Sequence, residues 1–301
     1  MDKRKNVTLG IDIGGSHITA GLVNLDDRMV INESIIRHRV NRNGTADEIL
    51  TEWCNAIKTQ QLKYVNSFIQ IGFAMPGPFD YENGICLIKG FDKYESLYGL
   101  NIRAALARRL SLQPFDILFR NDAEAFLEGE LFCGAATGFN HAICITLGTG
   151  LGSAVSHDGH TKDAELSVLS YQGEKIEEWV STRGLIRIYK ELTGKTVEDA
   201  LAIAELYNTD ADAKETFKIF AHHLSWFLQK FIKQESPEVL VIGGNISNSC
   251  KLFMDDLLRN LSLTNVPLPK ICRATLGENA ALIGGACKFV SFQNKTSFVT
   301  L

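Results

Sequence analysis

An acid beside a glycine turn is the first feature of the chain that could do chemistry. Asp12 offers a carboxylate, Ser16 offers a hydroxyl, and Gly14 and Gly15 lie between them. Backbone N–H groups in such a turn can face a phosphate, while the carboxylate holds the water shell of its magnesium ion. The pattern therefore predicts a phosphate and magnesium site, although an ordinary hairpin whose glycines serve only the turn would have the same residues.

The residues around this turn alternate between apolar and polar types, which indicates extended chain on both sides. A third strand is predicted over 29–36. A nucleotide-binding P-loop needs a Gly-Lys-Ser/Thr sequence that enters a helix, and a dinucleotide fingerprint also needs a helix after its glycines. Because this turn runs into a strand, the sequence fits neither of these loop classes.

The same order of strand, glycine turn and strand occurs a second time. The predicted strands are 141–147 and 153–156, and the turn between them carries Gly148, Thr149, Gly150 and Gly152. The repeat suggests an internal duplication of a ligand-binding half. A second glycine-rich hairpin without a ligand is the alternative.

Asn121 and Asp122 lie where a predicted strand, 115–119, passes into a predicted helix, 123–132. One interpretation is a helix N-cap, for which aspartate is well suited. The other is a general base at the carboxyl end of a strand, where α/β proteins bind ligands. There a carboxylate can accept the proton of a hydroxyl that attacks phosphorus.

Apolar periodicity and turn residues predict the remaining elements. A capping box of Thr45 and Glu48 opens a helix to about residue 62, and an Asn-Gly pair predicts a hairpin over 79–88. The strand 68–74 stops before Gly77. The other predicted elements are a helix over 101–110, two short helices over 174–192, helices over 197–207, 211–233, 252–258 and 278–290, and strands over 239–242 and 270–274.

Length and composition limit the classes of protein. The 301 residues suggest about two domains. A net charge of −4 gives no footprint for nucleic acid, and no apolar run is long enough to span a membrane. The seven cysteines are scattered without a Cys-x-x-Cys motif, so we expect reduced thiols in a cytoplasmic protein.

The first loop, Asp-Ile-Gly-Gly-Ser-His, resembles the phosphate-1 segment of actin-like ATPases, and most closely that of ROK-family sugar kinases. Ser16 stands where the family has threonine, and His17 stands where lysine is common. The second loop resembles the family's second phosphate loop. Gly243 and Gly244 resemble its nucleotide-side glycine pair, where a side chain would block the adenosine.

The resemblance also implies sugar-binding residues. In the family an Asn-Asp pair at the position of Asn121 and Asp122 binds sugar, and its Asp is the base. Glu165 and Glu177 resemble two glutamates that bind sugar hydroxyls, and Gly77 is a further substrate-binding candidate. Solvated glutamates in an acidic patch are the alternative, and the neighbouring Glu178 leaves the register open by one residue.

Two departures from the family matter. Its zinc module is a histidine followed by a cysteine-rich loop, whereas Val168 occupies the histidine position and no cysteine occurs between 144 and 250. We therefore predict no structural zinc. The lost histidine also touches sugar in the family, which leaves the usual glucose preference open. The adjacent His222 and His223 point about 100° apart on a helix, and we interpret them as structural.

The resemblance implies a two-domain actin-like (ribonuclease-H-like) α/β fold with the active site in the interdomain cleft. The predicted domains are 1–120 with 288–301, and 121–287. The implied activity is phosphorylation of a sugar hydroxyl, at O6 of a hexose or amino-hexose, with ATP and magnesium. Asp12 would hold the magnesium through water, and the family makes a homodimer plausible.

Two other functions stay open. A sugar- or nucleotide-binding regulator on the same scaffold would explain the degraded sugar motifs, and an actin-like phosphotransferase could act on a non-sugar acceptor. ROK transcriptional repressors carry a DNA-binding domain before the first loop. Because eleven residues precede Asp12, we expect the chain to lie outside that branch.

Overall fold

The computed structural model describes residues 6–64, 69–91 and 93–297. The chain forms two compact units, Met1–Gly134 with Glu278–Leu301, and Ala135–Gly277. The sequence had predicted boundaries at 120 and 288 instead. The difference arises because the helix Asp122–Cys133 packs along the helix Asn279–Ser297, and both helices belong to the first unit.

The strands are β1 Val7–Ile13, β2 His17–Asn24, β3 Met29–Val30, β4 Ile36–Arg39, β5 Ile71–Met75, β6 Phe79–Asp80, β7 Ile85–Cys86, β8 Ile117–Asn121, β9 His141–Leu147, β10 Leu151–His157, β11 His160–Asp163, β12 Ser170–Tyr171, β13 Glu174–Lys175, β14 Val239–Gly243 and β15 Lys270–Arg273. The α-helices are α1 Ala46–Lys63, α2 Ile102–Leu110, α3 Asp122–Cys133, α4 Thr182–Thr193, α5 Ala200–Leu206, α6 Ala211–Glu235, α7 Met254–Ser262 and α8 Asn279–Ser297.

The first unit is built on a sheet with the strand order β3-β2-β1-β5-β8, and β4 pairs with β2. β1 and β2 form an antiparallel hairpin, whereas β1, β5 and β8 run parallel. Their inward side chains, including Phe73 and Phe119, stack in a core that also contains Trp53 of α1. The carboxyl ends of the three parallel strands therefore lie along one edge of the sheet.

The second unit repeats this arrangement on a smaller sheet with the order β11-β10-β9-β14-β15. β9 pairs antiparallel with β10 across the second glycine loop and parallel with β14, as β1 pairs with β2 and β5. The long helix α6 contributes buried phenylalanines to the core of this unit. The shared local topology supports the duplication that the two loops suggested.

Helix α8 lies directly on the backbone of the first sheet. A Cβ atom added at Gly72 would collide with the carbonyl of Gly285, and one added at Gly10 would collide with that of Leu282. On its other side, a Cβ at Gly284 would collide with the carbonyl of Ala125 in α3. Glycine is required at these positions because the backbones approach each other so closely.

Several local predictions are confirmed. Thr45 and Glu48 form the predicted capping box, and α1 ends at Lys63. The helix predicted over 211–233 is observed as α6.

Other local predictions were wrong. The strand over 29–36 is interrupted by a 3₁₀ turn, Asn32–Ser34, because the buried Ser34 hydroxyl accepts a hydrogen bond from Leu22 N. The strand at 68–74 begins at Ile71, and Phe68 lies outside the described residues. Residues 174–192 form a short strand, a 3₁₀ turn and one helix rather than two helices.

Among the described residues, no helix combines the length and the apolar character needed to cross a membrane.

We predict that Gly72→Ala lowers the free energy of unfolding by about 2–3 kcal/mol, because the added methyl must push α8 away from the sheet. Gly15→Ala is the matched control, since its added Cβ makes only an ordinary contact. Urea denaturation of both variants measures the difference. Equal stability of the two variants would contradict the close packing of α8.

Candidate functional site

The first glycine loop joins β1 to β2 and is held from two sides. Gly14 N donates to His17 O at 2.9 Å, which closes the turn. The buried Tyr94 hydroxyl donates to Gly14 O at 2.6 Å. Ser16 Oγ lies 2.8 Å from His17 Nδ1. The loop is therefore fixed in place with an exposed glycine and a hydroxyl at its tip, as a phosphate-binding turn requires.

Asp12 lies near the end of β1, in a poorly solvated place. Burial is the main cause that raises the pKa of its carboxyl to about 7, and the nearby acids Asp122 and Glu278 raise it further. Arg37 acts in the opposite direction. Burial and two nearby acids thus disfavour the charged carboxylate of Asp12, and a divalent cation bound beside it would offset both effects.

Asn121, and not Asp122, carries the cap of α3. Asn121 Oδ1 accepts hydrogen bonds from the backbone N–H groups of Ala123 and Glu124, at 2.8 and 3.1 Å. Asp122 is the first residue of the helix and is exposed, and one of its carboxylate oxygens accepts from the next backbone N–H. The interpretation of Asp122 as the N-cap is therefore wrong. Its carboxylate faces solvent at the carboxyl edge of the parallel strands.

A buried charge cluster fixes the backbone beneath these two residues. Arg120, only 5% exposed, forms ion pairs with Glu124 at 3.5 Å and Glu128 at 3.1 Å. Lys288 Nζ of α8 donates to Phe119 O at 2.7 Å. Removing one partner of such a buried pair is costly, so the cluster holds the end of β8 against α3 and α8.

Gly77 and Asn121 are brought close together by Tyr81. Asn121 Nδ2 donates to the Tyr81 hydroxyl at 3.3 Å, and that hydroxyl donates to Met75 O at 3.0 Å. A Cβ at Gly77 would lie 3.2 Å from the same hydroxyl. The ends of β5 and β8 are therefore joined by one hydrogen-bonded chain.

The second glycine loop is held by charged groups. Glu177 Oε2 accepts from Leu151 N at 2.9 Å, next to Gly150, where a Cβ would collide with that oxygen. Arg183 Nη1 donates to Thr149 O at 2.8 Å, and the same guanidinium pairs with Glu177.

The base of this loop is fixed as well. Gly148 O accepts from both the N–H and the hydroxyl of Thr182, at 2.8 and 3.0 Å. Gly148 N donates to Gly150 O at 3.0 Å, which closes a turn one residue shorter than that of the first loop. Gly152 follows within β10.

Gly243 ends β14, and Gly244 follows with a positive φ of 79°. A Cβ at Gly244 would collide with the backbone of Leu147 at the end of β9. Glycine is therefore needed here for packing, whether or not a nucleotide lies beside it.

The two predicted sugar glutamates are both linked to β10 but differ in their environment. Glu177 is bonded to the glycine loop, as described. Glu165 is exposed, has a positive φ of 54°, and precedes a 3₁₀ turn whose Leu166 N donates to Ser153 Oγ. Val168, in the place of the family's histidine, is 61% exposed. The sugar-binding roles of both glutamates stay predictions.

Sequence reasoning missed Arg42 and Tyr94. Tyr94 N donates to Arg42 O at 2.9 Å, so one residue fixes both the loop and the backbone of Arg42. A Cβ at Gly15 would lie 3.6 Å from Arg42 Nη1, which places the guanidinium beside the loop. The one available signal was His17, because a loop that lacks the common lysine needs another cation for an anion.

A model of the ROK family matches residues 8–165 and 170–290 of the chain. The chain belongs to the ROK family. The glucokinase of Thermotoga maritima is 25% identical, over 92% of this chain and 95% of the relative. The N-acetyl-D-glucosamine kinase of Mannheimia succiniciproducens is 23% identical, over 94% and 99%.

The crystal structure of a ROK family glucokinase from Streptomyces griseus, in complex with glucose and AMPPNP, matches with a TM-score of 0.75 and 23% identity. The match covers 93% of this chain and 98% of the Streptomyces griseus chain. The likeness shows the fold, and the prediction of a two-domain actin-like α/β chain is confirmed.

We predict that the stability of the magnesium-free protein depends on the protonation of Asp12. Its pKa is about 7 in the folded state against 3.8 ordinarily, so between these values the native state binds more protons than the unfolded state. Stability contributed by this group is therefore lost as pH rises from about 4 to 7. As pH rises from 5 to 8, the free energy of unfolding of Asp12→Asn should gain on the order of 2–4 kcal/mol relative to that of the wild type. Denaturation of both proteins in EDTA at pH 5 and at pH 8 measures this gain. The same change in unfolding free energy in both proteins would contradict the prediction.

Proposed function

We propose that this chain is an ATP-dependent sugar kinase with Asp122 as its general base. The observation that carries the proposal is the division of roles at the start of α3. Asn121 caps the helix, which leaves the Asp122 carboxylate exposed at the carboxyl edge of β1, β5 and β8. This edge is where parallel α/β sheets bind their ligands.

In the proposed reaction, Asp122 accepts a hydrogen bond from the sugar hydroxyl that attacks the γ-phosphorus of ATP. As the new O–P bond forms and the bond to ADP breaks, the hydroxyl proton passes to the carboxylate. We propose O6 of a hexose or amino-hexose as the phosphorylated oxygen. The sugars in the names of the relatives, glucose and N-acetyl-D-glucosamine, belong to this class.

Asn121 is the proposed sugar ligand beside the base. Its amide has two N–H donors, of which one is directed to Tyr81, so the other can serve a sugar hydroxyl. Glu165, Glu177 and the backbone at Gly77 are the further proposed substrate contacts. Because Glu177 also holds the second glycine loop, its loss would affect that loop as well as the sugar.

The phosphates of ATP are the proposed ligands of the glycine loops, Gly14 to His17 in the first unit and 148–152 in the second. Arg42 supplies a cation beside Gly15, in a loop whose His17 stands where lysine is common in the family. The surroundings of Asp12 fit the magnesium ion that accompanies ATP, since burial and, after it, the nearby acids Asp122 and Glu278 raise the pKa of its carboxyl. Bound there through water by Asp12, magnesium would neutralise negative charge on the phosphate oxygens.

A sugar-binding regulator on the same fold is the second candidate. The specific observation in its favour is Val168, an exposed apolar residue at the position of a sugar-binding histidine. A regulator would bind sugar without turning over ATP.

An apolar side chain at Val168 also suits the methyl of an N-acetyl group, so N-acetylhexosamines belong in the panel of sugars tested as substrates.

We predict that wild-type protein releases ADP from magnesium ATP only in the presence of a sugar from a panel of hexoses and N-acetylhexosamines. Asp122→Asn should lose roughly 10²–10⁴-fold in kcat, because the general base is removed, while sugar binding by calorimetry is largely kept. Asp255→Asn is the matched control, since it removes another exposed acid from the first turn of a helix.

The outcomes separate the candidates. Sugar binding without turnover in the wild type would favour the regulator, and turnover with a non-sugar acceptor alone would favour a different phosphotransferase. Equal kcat values for Asp122→Asn and Asp255→Asn would remove Asp122 from the role of base.

A second prediction concerns Arg42. Arg42→Gln should raise the Kd for ATP about 10-fold, since a charge-assisted hydrogen bond to phosphate is lost, and leave sugar binding unchanged. Arg108→Gln, which removes an exposed arginine from α2, is the control. If both variants bind ATP equally well, Arg42 is not a phosphate ligand.

A further inference from the structure

A cluster of two histidines and a glutamate lies at the end of the second sheet that is remote from the glycine loop. His141 begins β9 and His157 ends β10, and the two are direct cross-strand partners. Glu235 ends α6 and reaches the same place. One possible ligand atom from each of the three residues lies within 4.8 Å of the other two.

The contacts within the cluster leave one nitrogen unexplained. His157 Nε2 lies 3.1 Å from Glu235 Oε2, and the two imidazole rings lie 3.6 Å apart between centroids. His141 Nε2 is buried and has no hydrogen-bond partner. Burying a polar atom without a hydrogen-bond partner costs free energy, so its presence calls for an explanation. The His157–Glu235 contact does not explain it, because that contact does not involve His141 Nε2.

We propose that His141, His157 and Glu235 form a binding site for a divalent metal ion of the zinc class. Two imidazole nitrogens and one carboxylate oxygen are ligands that suit Zn²⁺, Co²⁺ or Ni²⁺, whereas Mg²⁺ and Ca²⁺ prefer oxygen alone.

The surroundings of the ligands are already ordered. Gln234 Nε2 donates to Glu235 Oε1 at 2.7 Å, which leaves Oε2 directed at the histidines. Glu238 Oε2 accepts from His141 N at 2.8 Å and fixes the start of β9. Outer contacts of this kind orient the ligands of metal sites.

The site has an open side, because the His157 side chain is 50% exposed. We therefore expect three protein ligands and a water in the fourth position. Such an open site holds an exchangeable ion, whereas a structural zinc has four protein ligands. The site shares no residue with the zinc module whose loss the sequence indicated at Val168. The prediction of no structural zinc concerns that module and stays a prediction.

The proposed ion would join the end of α6 to the β9–β10 hairpin. It lies apart from the proposed phosphate loop, since Leu147 is six positions after His141 along β9, about 20 Å of extended strand. Because the ion binds the folded unit, it should stabilise that unit by an amount that grows with the logarithm of the free ion concentration.

The test uses tag-free, full-length protein that has been stripped with EDTA and kept reduced. We expect calorimetric titration with Zn²⁺ to detect this site, and the melting temperature to rise with Zn²⁺. His141→Gln and Glu235→Gln should each weaken binding at least about 10-fold and abolish the rise in melting temperature. His222→Gln, at an exposed position on α6, is the control and should bind as wild type does.

All three variants retain the seven cysteines, so zinc bound by thiols would be equal in each of them. Co²⁺ in place of Zn²⁺ should add a visible absorption band that His141→Gln lacks. Equal affinity in wild type and both ligand variants, or an equal loss in His222→Gln, would overturn the proposal.

Discussion

The close approach of α8 to the first sheet is the constraint on which the candidate site depends. Gly10 and Gly72 let the helix backbone lie against β1 and β5, and Gly284 lets it lie against α3. These contacts leave no room for a side chain, so helix and strands are fixed relative to each other more tightly than ordinary side-chain packing would fix them. Asp12 on β1 and Asp122 on α3 are thereby held in one rigid arrangement.

That rigidity gives the two acids different properties. Asp12 is poorly solvated and is repelled by Asp122 and Glu278, so its pKa is raised to about 7. Asp122 is exposed at a helix start, with Asn121 satisfying the helix beneath it. Under the proposed function, these two environments suit two tasks, namely magnesium binding at Asp12 and proton acceptance at Asp122. The buried Arg120 pairs with Glu124 and Glu128 and fixes the end of β8 against α3, next to Asp122.

Local chemistry could be predicted from the sequence, and distant contacts could not. The capping box at Thr45 and the two glycine loops each depend on residues within a few positions of one another, so the pattern was sufficient. The break in the strand at 29–36 depends on Ser34 bonding Leu22, on another strand. Arg42 and Tyr94 reach the first loop only through the fold. The His141 cluster depends on the register of β9 and β10, which no single stretch specifies.

The two glycine loops show how a duplicated topology can diverge in its supports. Each loop joins an antiparallel hairpin whose first strand also pairs with a parallel strand. The first loop is held by a neutral hydroxyl, that of Tyr94. The second is held by Arg183 and Glu177, which also pair with each other. A neutral support is insensitive to salt, whereas partly exposed ion pairs are weakened by it. The geometry of the second loop should therefore respond to ionic strength more than that of the first.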